Sequence, residues 1–361
     1  MKQYIVVVGG YGHVGQTICK ELADSFPGEV YAAGRSLERA RKFSDTTKGK
    51  VRPLQLDISR PVEPEFWEQV KLVVMCLDQS DLSFVRSCLE QGIHYVDISA
   101  DFRFLSKVHA LHQEAGSRGA TAVLSVGLAP GMTNLMAKHA KRFVDEAQMI
   151  DISVMLGIGD QHGKAAIEWT VEHLANPFTN QQGESPKKIR SFSNGKIIDF
   201  GHHLGRKKAY RFNFSDQHTL PQTLDVPSVS TRLCFDSPLV TKALSMMQAS
   251  RVLALLRFSP VRNTVVQWFG RVKWGTDQFA VKIDVTGTNN GDTATAECFL
   301  QGHIEADMTA RVASAVAKIV YSDTLPTGVF HIDQVLDLES ILPLIQPGIS
   351  IDTRINGCSF L

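Results

Sequence analysis

The sequence predicts an α/β protein in which a parallel-sheet domain with helices on both faces precedes an α+β domain of mixed sheet plus helices. Three observations carry that expectation. Up to about residue 125, short apolar runs alternate with amphipathic stretches. A glycine triplet, Gly10-Tyr11-Gly12-His13-Val14-Gly15, links the first apolar run to the first amphipathic one. After Met149, strand-like runs follow one another with turn signals between several of them.

The first-half strands are expected at Tyr4 to Val8, Glu29 to Ala33, Val51 to Leu56, Leu72 to Cys76, His94 to Ile98 and Thr121 to Leu124. Six such strands complete a Rossmann dinucleotide-binding fold. The triplet supplies what a pyrophosphate needs: one glycine for the tight turn, one for close backbone approach, one for helix-to-strand packing. Val14, Ile18 and Leu22 then recur at helical spacing, so the phosphates meet N–H groups and the positive end of a helix dipole. Second-half strands are expected at Ile150 to Leu156, Tyr210 to Phe214, Thr231 to Phe235, Val265 to Phe269, Phe279 to Thr286 and Thr295 to Gln301. The polar stretch Asn176 to Lys196 has no apolar period and reads as a surface loop. The expected domains are 1–126 and 127–325, with a tail, 326–361, whose helical stretch Val335 to Leu344 packs back on one of them.

Thirty-eight Lys and Arg against thirty-seven Asp and Glu leave a net charge of +1, so no whole-chain field recruits nucleic acid or an anionic membrane, and any partner preference is local. Met1-Lys2-Gln3 runs directly into the first strand and no apolar stretch approaches bilayer length, which predicts a cytoplasmic protein. Cys19, Cys76, Cys88, Cys234, Cys298 and Cys358 are scattered without a C-x-x-C pair, which predicts neither disulfide nor metal.

About twenty positions past Gly15 the second strand ends in Gly34-Arg35-Ser36, with no acid to accept from a free ribose 2′-hydroxyl. Arg35 and Ser36 suit a 2′-phosphate, favouring NADP(H) over NAD(H). The plainer alternative makes Ser36 the cap of a helix from Leu37 and leaves Arg35 solvated. Asp57 and Ile58, after the third strand, suit an adenine edge and face, with an N-cap as the alternative for Asp57. Cys76-Leu77-Asp78-Gln79 ends the fourth strand, where backbone would meet ribose and nicotinamide. His94 to Asp101 and Gly127 to Asn134 follow the fifth and sixth strands, at the carboxyl ends where such sheets bind ligands. Backbone at Gly127, Pro130 and Gly131 is therefore assigned to the cofactor, with Pro130 at the first helical position.

The Gly10 to Gly15 turn, Tyr95-Val96-Asp97, the Gly127 to Asn134 turn and a late strand from Val285 followed by a helix with Thr309-Ala310 together resemble saccharopine dehydrogenase-like oxidoreductases. The order and spacing of these motifs carry the resemblance, which spans nearly the whole chain. It implies an NAD(P)-binding Rossmann domain, a C-terminal substrate and dimerisation domain, a homodimer, and hydride transfer at the carbon of a C–N bond in an amino-acid-like small molecule.

Gly157 to Gly163 with His162 and Lys164 leads into a helix carrying Glu168, Trp169 and His173. Imine reduction moves a proton near neutral pH, so Asp97, His162 and Lys164 are the proton-handling candidates. Arg211 and Arg232 are candidate clamps for a substrate carboxylate, with Asp101 and Trp169 beside them. No tyrosine has a lysine four positions on, and neither a Gly-x-Ser-x-Gly elbow nor a phosphate-loop Gly-Lys-Ser/Thr is present, so short-chain dehydrogenase, hydrolase and nucleotidase readings lose their support. Two alternatives remain open: a non-catalytic NADP(H)-sensing protein, and a reductase of a carbonyl or thioester carbon on the same fold.

Overall fold

The computed structural model describes residues 2–160, 163–182, 185–201, 203–269, 275–322, 324–345 and 349–360. Two compact units emerge, one of Met1–Met132 with Ala306–Ile345 and one of Thr133–Glu305 with Gln346–Leu361. Residues from 306 to 345 thus join the first unit, whereas the sequence placed the first half of them, 306–325, in the second domain and the rest in the tail.

In the first unit the chain runs β1 (Tyr4–Val8), α1 (His13–Ser25), β2 (Val30–Gly34), α2 (Leu37–Thr46), β3 (Val51–Gln55), α3 (Pro64–Trp67), β4 (Val70–Met75), α4 (Ser83–Glu90), β5 (His94–Asp97), α5 (Phe102–His109), α6 (His112–Ser117) and β6 (Thr121–Leu124). The later α12 (Glu305–Tyr321), β15 (Gly328–His331), α13 (Ile332–Val335) and α14 (Leu338–Ile345) return to it. Its sheet has the order β15-β6-β5-β4-β1-β2-β3, with every pairing parallel. The six expected strands are present, and β15 adds a seventh. Val73, Met75, Val85, Leu89, Tyr95 and Leu105 are among the side chains that fill the core on one face, as a sheet covered on both sides requires.

The second unit holds α7 (Thr133–Lys141), β7 (Glu146–Leu156), α8 (Lys164–Ala175), β8 (Phe178–Gln182), β9 (Ser185–Ile189), β10 (Lys196–Asp199), β11 (Arg206–Arg211), α9 (Asp216–Thr223), β12 (Ser228–Phe235), α10 (Pro238–Ala249), a 3-10 turn (Val252–Arg257), α11 (Ser259–Phe269), β13 (Gln278–Asn289), β14 (Asp292–His303), β16 (Ser350–Ile355) and β17 (Cys358–Phe360). Its sheet runs β10-β11-β12-β7-β13-β14-β16-β17, with β8 against β12 and β9 against β8. Only β12 and β7 pair in parallel, so the sheet is mixed as expected.

Two element assignments are corrected. The stretch from Asn176 contains a hairpin in place of a loop: Phe178 pairs with Ile189, and these two and Asn180 are buried while the polar residues between them give no apolar period. Val265 to Phe269, expected as a strand from its adjacent valines, lies in α11. Ser259 and Pro260 open that helix, and Val266 is buried in it.

On one face of the second sheet Arg211 stands opposite Arg232, Arg232 opposite Ser153, and Ser153 opposite Lys282. Except at Arg211, the cations are compensated locally. Asp151 takes Arg232 at 2.8 Å and Lys196 at 2.7 Å, and Lys282 reaches Asp284 at 3.0 Å and Glu297 at 3.1 Å. On the opposite face Ile150, Ile152, Val154, Val281, Ile283 and Val285 are buried, with Thr231 and Thr353 as polar members among them.

Within the first unit, His331 caps α13 while its ring stacks on His109 at 5.1 Å between centroids and its Nδ1 lies 2.9 Å from Ser125 Oγ. Burial, reinforced by His109, pulls His331 down to about 4. His218 of the second unit falls to about 4 as well, through burial and then the charge of Arg211. A histidine depressed in the folded state binds fewer protons there than when unfolded. Its stability contribution is therefore intact above the unfolded value of 6.5 and is lost as pH falls from there towards 4, up to roughly 3 kcal/mol for each ring. Asp216, raised to about 6 by burial, acts in the opposite sense and loses its contribution as pH rises through 6. Urea unfolding at pH 7.5 and 5.0 is expected to show lower stability at the acid value, and a smaller difference between the two in His331→Asn.

Candidate functional site

The first-unit site begins where β1 ends. Gly9 N–H donates to Ala33 O at 2.8 Å and Gly12 N–H to Gly9 O at 2.8 Å, folding the turn back beneath α1. A Cβ on Gly10 would stand 2.7 Å from Ala32 Cα, and one on Gly15 would stand 2.3 Å from Gly9 O, so both positions demand glycine for packing. Gly12 is the N-cap of α1 and contributes no capping side chain. Tyr11, His13 and Val14 complete the turn and the first helical residues. The first-turn N–H groups of α1 have no acceptor within the helix, so this cradle of backbone donors fits a pyrophosphate.

At the end of β2, Ser36 Oγ accepts from Arg39 N at 3.2 Å, so Ser36 does cap α2. Arg35 is exposed. Tyr11 lies directly over Gly34, where a Cβ would come 2.5 Å from its Oη, and that Oη accepts from Ser36 N at 3.1 Å. The Arg39 guanidinium sits 4.8 Å from the Tyr11 ring centre. A second guanidinium is therefore held on Tyr11 in the first turn of α2, four residues past Arg35. Sequence reasoning missed Arg39, whose only signal was its position three residues into the helix that Ser36 opens.

Asp57 is not a helix cap. Its Oδ1 accepts from Ser59 Oγ at 2.7 Å and Ser59 N at 3.1 Å, and these bonds hold its carboxyl below the usual range. Ile58 packs partly against the core. Cys76 N–H closes onto Val8 O at 2.9 Å, and Leu77, whose Cδ2 lies 3.0 Å from the Cβ position of Gly9, is half-exposed at the same sheet end. Asp97 is fully buried. It accepts from Tyr95 Oη and Ser99 N, each at 2.7 Å, and from Gln79 Nε2 at 3.4 Å, and burial lifts its carboxyl above the ordinary range despite those bonds. Asp101 caps α5 by accepting from Arg103 N at 2.9 Å.

Pro130 is not a first helical residue. The peptide before it is cis, Gly131 takes φ +133°, and α7 begins only at Thr133. Gly131 is the residue that permits this turn, and Met132 N–H closes it onto Gly127 O at 2.8 Å. Leu128 N–H is held by Thr309 Oγ1 at 3.2 Å.

In the second unit, Lys164 is the first residue of α8, and His162 lies outside the described residues. Trp169 stacks against His173 at 4.3 Å and contacts Phe212 and Phe214, so it belongs to an aromatic cluster at the end of β11. The two arginines differ. Arg232 is neutralised by Asp151, which Arg232, Lys196 and Ser230 hold at about 2 against a strong opposing effect of burial. Arg211 is 2% exposed, and its side chain bonds only Gln217 Oε1, at 3.0 Å, among the described residues. Burial, and then the nearby Arg232 charge, drops it to about 10. Gln217 Oε1 also accepts from Asn180 Nδ2 at 3.2 Å, which ties α9 and β8 to that guanidinium. Neither Gln217 nor Asn180 was legible in the sequence, because nothing in the eight-residue α9 or in β8 sets them apart from solvated amides.

Residues 5–123 match the family model of the saccharopine dehydrogenase NADP binding domain. A mouse saccharopine dehydrogenase-like oxidoreductase is 29% identical over 147 residues, 34% of this chain and 34% of that protein, so the matched stretch spans about a third of the curated relative's length. Among solved structures, apo saccharopine dehydrogenase (L-Glu forming) from Saccharomyces cerevisiae superposes with a TM-score of 0.64 over 98% of this chain and 100% of that one, at 12% identity. The fold is therefore the saccharopine dehydrogenase fold, and the resemblance drawn from the motifs is borne out. No helix among the described residues is long and apolar enough to cross a membrane.

Proposed function

We propose that this chain, whose residues 5–123 carry a saccharopine dehydrogenase NADP binding domain, is an NADP(H)-dependent oxidoreductase acting at the C–N carbon of an imine or amino-acid-like substrate. One observation supports this reading above the others. The glycine cradle of Gly10 to Gly15 adjoins a strand end, Gly34-Arg35-Ser36, that bears no acid, and the first turn of α2 beyond it brings Arg39 onto Tyr11 with Glu38 as its one acid, a setting that suits a 2′-phosphorylated ribose. When bound, the cofactor supplies or receives the hydride. The chain's own residues do the rest: α1 binds the pyrophosphate, backbone at Gly127, Pro130 and Gly131 positions the nicotinamide end, and Asp97 holds Ser99 and Tyr95 in place. Arg211 takes the substrate carboxylate beside Trp169. His162 or Lys164 delivers the proton that turns the reduced imine nitrogen into an amine. The family resemblance further supports a homodimer with a small-molecule substrate, and the near-balanced charge supports the expectation of no nucleic-acid partner.

Steady-state NADPH consumption against a panel of amino acids, each paired with α-keto and aldehyde carbonyls, tests the reading. Oxidation is expected only when amine and carbonyl are both present. Oxidation with the carbonyl alone would move the reaction to a C–O carbon, and no oxidation with any pair would leave a cofactor-binding protein without turnover.

The ribose assignment has its own test. Arg39→Ala is expected to weaken 2′,5′-ADP binding about tenfold, one charge-assisted contact, and to leave 5′-AMP affinity unchanged in calorimetry. Equal losses for both ligands would place Arg39 away from the 2′-phosphate.

A further inference from the structure

Of eleven large apolar side chains that stand exposed among the described residues, seven fall between residues 239 and 261: Leu239, Met246, Met247, Val252, Leu255, Phe258 and Val261. They lie along α10, the 3-10 turn and the start of α11, all in the second unit. Leu239 is 73% exposed and Phe258 63%, values that surface leucine and phenylalanine rarely need for packing. The inward faces are filled in the ordinary way. Thr241, Leu244 and Gln248 recur at helical spacing on the buried side of α10, and Leu253, Leu256 and Val266 bury from the turn and α11. Gln248 donates to Ser191 O, and Arg257 Nε donates to Ala175 O at 3.2 Å, so both are tied into the unit's interior. The exposed apolar residues are thus not a core turned outward; they are a second, outward face on elements already anchored.

The segment that carries this face has a one-sided charge, although α8, packed against the turn and α11, bears the exposed Glu168 and Glu172. The thirty-nine residues from Pro238 to Thr276 contain no Asp or Glu, although the chain carries thirty-seven in 361, and they contain six Lys and Arg. Lys242, Arg251, Arg257 and Arg262 are those in the described part, the first three of them exposed. The near-zero net charge of the whole chain conceals this local excess.

We propose that the face formed by α10, the 3-10 turn and α11 docks on an anionic lipid surface, its leucine, methionine and phenylalanine side chains entering the headgroup boundary while Lys242, Arg251 and Arg262 meet the acidic headgroups. Exposed apolar residues flanked by cations and free of acids are the composition of an interfacial element, whose affinity scales with apolar area plus attraction to anionic lipid. A second copy of the chain is the less suitable occupant. A two-fold interface sets the same patch against itself, so a cationic segment without acids would face another cationic segment without acids, with no complementary charge from either copy of it.

Co-sedimentation of the full chain with phosphatidylserine-containing and pure phosphatidylcholine vesicles decides the matter. Binding to the anionic vesicles is expected to exceed that to the neutral ones at least about tenfold, to fall at high salt, and to drop about tenfold in the double variant Leu255→Glu/Phe258→Glu. Both substituted side chains are exposed, so the variant's thermal midpoint and NADPH affinity should match those of the wild type. Equal or negligible sedimentation with the two vesicle types would overturn the proposal. So would a concentration-dependent dimer, seen by analytical ultracentrifugation, that the double variant dissociates, because it would assign the face to a second copy.

Discussion

Gly12→Val is expected to weaken NADPH binding about a hundredfold or more, roughly 2.7 kcal/mol, with little change in thermal midpoint. The backbone at Gly12 has φ −78° and ψ 175°, a conformation any residue adopts, so the substitution strains no dihedral and costs the fold only the preference for glycine over valine at an N-cap, under about 1 kcal/mol. A Cβ there stands 3.0 Å from Gly9 O and meets nothing else within 4 Å, so the rest of the valine projects into the approach that the phosphates need. Gly15→Val is the contrast. Its Cβ would stand 2.3 Å from Gly9 O and 2.8 Å from Gly10 Cα, both rigid backbone, so α1 would have to lift from β1 and the fold itself would lose about 3 kcal/mol. Calorimetric titration with NADPH alongside thermal melts separates the two: Gly12→Val loses ligand and keeps the fold, whereas Gly15→Val loses both. Retention of wild-type affinity by Gly12→Val would place the nucleotide elsewhere.

Arg211→Met is expected to raise the substrate KM about a hundredfold or more while leaving NADPH affinity unchanged. A buried guanidinium whose one side-chain partner among the described residues is a neutral amide has no carboxylate bonded to it there and only the nearby Asp151 charge to offset its own, and a bound carboxylate would compensate it through a bidentate pair. Losing such a pair costs on the order of 3 kcal/mol in binding. Stability should not suffer comparably, because methionine fills similar apolar volume and removes a desolvated charge. Arg232 offers the internal comparison. Its charge is spent on Asp151 at 2.8 Å, so Arg232→Met is expected to destabilise the sheet by stranding Asp151 and to change KM less. If the two variants affected KM alike, the assignment of Arg211 as the anchor would fail.

The first half of the fold was legible because a parallel sheet covered on both faces makes its inner strands apolar runs, as β1, β2 and β4 are, and the regular alternation of strands and amphipathic stretches carried the less apolar β3 and β5 with them. The seventh strand was not, since Gly328–His331 is four residues long and only its pairing with β6 gives it away. The hairpin of β8 and β9 was hidden for another reason. Among its described side chains it buries Phe178, Asn180 and Ile189, and a polar amide at a buried position reads as loop. At the site, the glycine turn was legible from residue type alone. The weighing of Arg211 against Arg232 was not, because it depends on which of two opposed arginines the register brings to Asp151. Arg39 was equally hidden, as nothing in sequence says that Tyr11 turns its ring towards α2.

The central claim, reduction at a C–N carbon by hydride from NADPH, is tested most directly by isotope transfer. The protein is supplied in parallel with NADPH deuterated on either face of nicotinamide C4, together with the amine and carbonyl pair that supports oxidation, and the product is analysed by mass spectrometry and NMR. The account predicts one deuterium on the carbon newly bonded to nitrogen, delivered from one cofactor face and absent from the other. Deuterium on a carbinol carbon, or product free of deuterium from both forms, would contradict it.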